Sequence, residues 1–95
     1  MMSINEFIKE NNLKVDVRVV NNTYFCYIKD GNETFTFSMT RDKLLAHMRR
    51  FCSKQFVDTM VNGEKWIMTH FRRLAVTWWH IQVSSKELAR ELNIQ

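Results

Sequence analysis

The stretch from Lys14 to Met39 leaves the chain few ways to fold. "KVDVRVV" alternates apolar and polar residues, "TYFCYIK" is rich in aromatic and β-branched residues, and "ETFTFSM" alternates again. Between them stand "NN" and "DG", pairs that favour the left-handed backbone of two-residue hairpin turns. The pattern predicts a three-stranded antiparallel meander. A two-residue loop sets the pairing register. A turn at Asn21 and Asn22 places Val19 opposite Tyr24, Val17 opposite Cys26 and Val15 opposite Ile28. A turn at Asp30 and Gly31 then sets Tyr24 opposite Phe37 and Cys26 opposite Phe35. Both turns put Val15, Val17, Val19, Tyr24, Cys26, Ile28, Phe35 and Phe37 on one face, the predicted core face. The other face carries Asp16, Arg18, Phe25, Tyr27, Thr34 and Thr36. Phe25 and Tyr27 beside Arg18 suit the stacking of unpaired bases. Covering by a helix or in a dimer is the stronger expectation for two aromatics there, because an isolated three-stranded sheet needs covering.

Helical spacing flanks this sheet. Ser3 is an N-cap for a short helix over residues 3–10, with Glu6 at its third position and Phe7 and Ile8 as its apolar side. Thr40 caps a helix expected over 41–60, whose apolar stripe is Leu44, Leu45, Met48, Phe51, Cys52, Phe56 and Met60. "NGEKW" breaks it. Residues 64–82 carry both a helical spacing (Ile67, Phe71, Leu74, Trp78, Ile81) and, in "LAVTWWHIQV", a strand-like composition. The spacing spans four turns and decides for helix, with 74–83 the part most open to the strand reading. Ser84 and Glu87 form a capping box that predicts a last helix, burying Leu88, Leu92 and Ile94. "ELARELNI" looks like the opening of a helix-turn-helix reader, but no residues follow Gln95 to make a recognition helix, so DNA reading through it is not expected. The fold class that results is α+β: a short N-terminal helix, a three-stranded antiparallel β-meander, then two or three helices packed on one sheet face. One domain over 1–95 is expected.

Composition narrows the function. No stretch of the 95 residues approaches the roughly 20 apolar residues of a membrane span, and "MMSINEFIKENN" has no apolar run after a basic start. Cys26 and Cys52 fall within an apolar strand and an apolar helix face, where reduced thiols pack as small hydrophobes, so a cytoplasmic protein without a disulfide is expected. A net charge of +4 favours an acidic partner. Catalysis is not expected: His47, His70 and His80 lack the close pairing of metal ligands, no cysteine pair has ligand spacing, and Gly31 and Gly63 stand alone rather than in a phosphate-binding loop. Neither a cofactor nor a metal is implied.

The clearest candidate surface lies on the predicted second helix. Lys43, His47, Arg50 and Lys54 follow at steps of four, three and four, with Arg49 beside them and Arg72 and Arg73 as an extension from the next helix. This set predicts a small non-catalytic regulatory protein that binds nucleic acid, or a nucleic-acid-handling machine, through a basic helix face. The alternative is a protein–protein module or stoichiometric inhibitor, of the kind that phages and mobile elements carry, using Trp66, Trp79, Phe25 and Tyr27 without touching nucleic acid. Trp and Arg dominate interface hot spots, which makes that alternative concrete. A homodimer is compatible with either.

Overall fold

Asn21 and Asn22 take positive φ of 49° and 61°, the pairing that a tight type I′ turn requires and that asparagine tolerates better than most residues. The turn closes the first hairpin in the predicted register. In the computed structural model, which describes residues 2–51 and 64–92, the elements are α1 (Ile4–Glu10), β1 (Leu13–Val20), β2 (Thr23–Asp30), β3 (Glu33–Thr40), α2 (Arg41–Phe51) and α3 (Glu64–Glu91). The strands form one antiparallel sheet in the order β1-β2-β3. Val19 faces Tyr24, Val17 faces Cys26 and Val15 faces Ile28.

The second hairpin differs from its predicted register by two residues. Tyr24 pairs with Met39, Cys26 with Phe37 and Ile28 with Phe35, so the turn residues are Gly31 and Asn32 rather than Asp30 and Gly31. Gly31 alone takes positive φ (61°). A turn at Asp30 and Gly31 of the first hairpin's kind would have forced Asp30 into the left-handed region. The observed turn puts its one such residue at the glycine, which meets no steric cost there. A shift of two leaves each side chain on its own face. Tyr24, Cys26 and Ile28 are buried as predicted, with Val15, Val17, Phe35, Phe37 and Met39 packed around them.

Local signals set the helix starts. Ser3 Oγ accepts from the Glu6 amide (3.2 Å), and α1 lays Ile4, Phe7 and Ile8 on the core. Thr40 Oγ1 accepts from the Lys43 amide (3.3 Å), so α2 follows β3 without a loop, and the Arg41 amide donates to the Asn22 carbonyl (2.8 Å). α2 buries Leu44 and Met48. The predicted continuation to residue 60, with Cys52, Phe56 and Met60, lies outside the described residues.

Residues 64–82 are helical, as the spacing predicted, but the helix continues through Ser84 and Ser85 to Glu91. The expected separate last helix is therefore corrected. Ser84 and Ser85 offer neither the missing donor of proline nor the freedom of glycine, and good helix formers follow them. The buried line of α3 is Ile67, Phe71, Ala75, Val76 and Trp79. Leu74 and Trp78 are half-buried, and Ile81 is 56% exposed. The predicted stripe and the observed one share Ile67 and Phe71 and then part, because steps of four and steps of three and four diverge around a helix of 3.6 residues per turn. Leu88 and Leu92 are 55% and 60% exposed, not core. A 28-residue helix is about 42 Å long and outruns eight-residue strands of about 27 Å. Ile94 lies outside the described residues.

The three described helices all lie on the core face. The outer face is read directly from the register: Lys14, Lys29 and Thr34 in one row, Asp16, Tyr27 and Thr36 in the next, then Arg18, Phe25 and Ser38. No described element covers it, so of the two covers expected for Phe25 and Tyr27, a helix or a second copy, no described helix supplies the first.

Candidate nucleic-acid interface

Two contacts fix how α2 and α3 sit. The Arg41 guanidinium donates to Glu64, and His47 Nδ1 lies 3.1 Å from His70 Nε2, each pair 23 residues apart. A constant offset means that the helices run parallel, and it sets Arg50 level with Arg73. Lys43, Arg49, Arg50 and Arg73 are exposed along this flank. Arg49 and Arg50 lie in the last described turn of α2. Arg72 does not join them. Two positions beyond His70, it points about 200° round the helix and donates to Asn5 Oδ1 (2.8 Å) on α1. Lys54 lies outside the described residues.

What holds the flank in register is a cluster that sequence patterns did not indicate. The Tyr24 hydroxyl donates to Glu64 Oε2 (2.8 Å) and accepts from Arg41 Nη1 (2.9 Å), tying the starts of both helices to the central strand. The Tyr24 and Arg41 hydrogen bonds hold the Glu64 carboxyl below its usual range. Burial, then the Glu64 hydrogen bond, pushes the Tyr24 phenol up. The only local hints are an arginine directly after a strand and an acid in a helix's first turn.

In the His47–His70 contact one ring nitrogen must donate and the other accept. Burial first, then His47 and Arg73, push His70 below its usual range, so His70 adds little positive charge to the flank at neutral pH. His80 stacks edge-on against Phe7, far from a ligand role with the other two. Among the described residues no three His, Cys, Asp or Glu side chains converge as metal ligands. Cys26 is fully buried and its thiol is pushed up to about 11 by that burial, which leaves it without nucleophilic character. Cys52 lies outside the described residues.

The aromatic candidates separate. Trp79 is only 3% exposed, wedged against Phe7 and Phe35, and so belongs to the core rather than to a partner surface. Its place on the helix line that meets the sheet is the reason. Trp66 is 63% exposed, and Phe25 and Tyr27 lie on the open sheet face. Among the described residues no helix is long and apolar enough to cross a membrane. No protein-family model matches this chain, and neither a curated protein nor a solved structure matches it significantly.

Proposed function

We propose that this chain is a small non-catalytic regulatory protein that binds nucleic acid, with the flank formed by α2 and α3 meeting phosphates. The observation that carries this reading is the parallel alignment of the two helices, which gathers Lys43, Arg50 and Arg73 on an exposed side. Acidic side chains on the two helices are few: Asp42 stands in the first turn of α2, α3 has no carboxylate between Glu64 and Glu87, and Glu64 is held by Arg41 and Tyr24. Cations on a rigid frame neutralise phosphates without reading bases, so the expected binding is strong at low salt and indifferent to sequence. A reducing cytoplasm, in which Cys26 stays a thiol, is the compartment this reading assigns.

The test is to change Lys43, Arg50 and Arg73 to glutamine together and follow binding to duplex DNA across salt concentrations. Each lost contact should reduce the salt slope by about 0.9, while thermal stability stays nearly constant because exposed charges seldom matter by more than about 0.5 kcal/mol each. Salt-independent binding, or none, by the unaltered protein overturns the reading. The exposed Trp66 supports the second reading, a stoichiometric protein inhibitor, whose binding would resist salt and fail on Trp66→Ala.

A further inference from the structure

The outer face of the sheet is a second surface, built from residues the helical flank does not use. Lys14 and Lys29 are directly opposite each other across β1 and β2, an arrangement that costs stability in the free protein because like charges face at close range. They line a cavity of about 310 Å³ with Asn12 and Gly31. The next row along the central strand presents Tyr27 and the one after it Phe25. Strand rise puts these rings about 6.8 Å apart, twice the roughly 3.4 Å step between stacked bases. Arg18 stands beside Phe25, and the one carboxylate in these rows, Asp16, is already paired with Arg18 at 2.9 Å.

We infer that this face binds a single-stranded nucleic acid, with a phosphate between Lys14 and Lys29 and unpaired bases stacked on Tyr27 and Phe25. An anion in the pocket removes the repulsion between the lysines. Aromatic faces accept any base, since every base presents a π-surface, so the site is blind to sequence but requires bases that are not paired. A duplex cannot use it, because its bases are already stacked and their faces are hidden. The inference stands on its own residues and does not depend on the helical flank.

A short oligothymidylate, an abasic strand of the same length and a duplex separate the contributions. The protein should bind the base-carrying strand more tightly than the abasic one. Tyr27→Leu, which keeps apolar bulk but removes the ring, should weaken oligothymidylate binding by about 5- to 150-fold and leave the abasic strand unaffected. Tyr27→Phe should bind as the unaltered protein does. Lys14→Gln should lower the salt slope by about 0.7 and, in the free protein, raise the melting temperature by removing the facing charges. Substituting Lys43, Arg50 and Arg73 should leave the ratio between base-carrying and abasic strands intact, so failure of one surface is distinguishable from failure of the other. If Tyr27→Leu does not fold, Lys14→Gln and the comparison of base-carrying with abasic strands on the unaltered protein still decide. Equal binding of abasic and base-carrying strands overturns the inference, as does no binding at all. So does a dimer in light scattering that Tyr27→Leu dissociates, since a second copy would then occupy the face.

Discussion

Tyr24→Phe isolates the cluster that joins the sheet to both long helices. The substitution keeps the ring packed against Phe71, with centroids 5.5 Å apart, and removes one hydroxyl with two charge-assisted hydrogen bonds. Hydrogen bonds to charged groups contribute about 1.5–3 kcal/mol each, and removing one costs most when a buried partner is left stranded. Here the partners are not stranded, because Arg41 and Glu64 keep their mutual ion pair and the Glu64 side chain is 57% exposed to water. We therefore expect a loss of about 1–2 kcal/mol for the pair, which for a domain of this size is a fall in melting temperature of roughly 5–15 °C. The pH dependence adds a second reading of the same contact. Glu64 has a depressed pKa in the folded state, so its contribution is present above the ordinary carboxyl value of about 4.3 and is lost as pH falls through the lower folded value. Glu64→Gln should melt lower than the unaltered protein at neutral pH and approach it in acid. Tyr24 works in the opposite sense: its raised pKa means that stability is lost as pH rises above about 10, and Tyr24→Phe should remove that alkaline loss. Thermal melts followed by circular dichroism across pH supply all of these numbers. A Tyr24→Phe protein melting within about 2 °C of the original at neutral pH would refute the reasoning, and the helix starts would have to be held by apolar packing alone.

Two further outcomes follow from buried polar groups. The depressed pKa of His70 means that stability is present above the ordinary histidine value of about 6.5 and lost as pH falls through the folded value; His70→Gln should flatten the melting temperature in that range, and an unchanged acid profile would argue against the His47–His70 contact. Trp79 Nε1 is buried and finds no hydrogen-bond partner among the described residues, which costs about 1–3 kcal/mol, so Trp79→Phe should lose less than about 1.5 kcal/mol where Trp79→Ala loses about 3–5. Urea unfolding measures both, and equal losses would mean that the indole N–H is satisfied.

The meander, its two faces and the caps at Ser3 and Thr40 were legible in the sequence, because each depends on residues within a few positions of one another. Alternation has a period of two, a tight turn needs particular φ values, and a cap needs one oxygen three residues before an amide. The basic spacing of Lys43 and Arg50 was legible for the same reason. What only the tertiary structure decided involves competition between distant residues. The second turn is the exception, a local choice: both hairpin registers bury the same side chains, and backbone strain puts Gly31 rather than Asp30 in the left-handed region. Trp79 is buried and Ile81 exposed because the sheet accepts one of two apolar lines on the same helix. Ser84 could cap a helix or continue one, and the uninterrupted ladder of α3 chose continuation. Arg73 falls level with Arg50 while neighbouring Arg72 turns to Asn5, a division set by the parallel packing of two helices. Tyr24, Arg41 and Glu64 meet across gaps of 17 and 40 residues. No local pattern encodes such a meeting, since it exists only once the chain has brought both helix starts to the same end of the sheet.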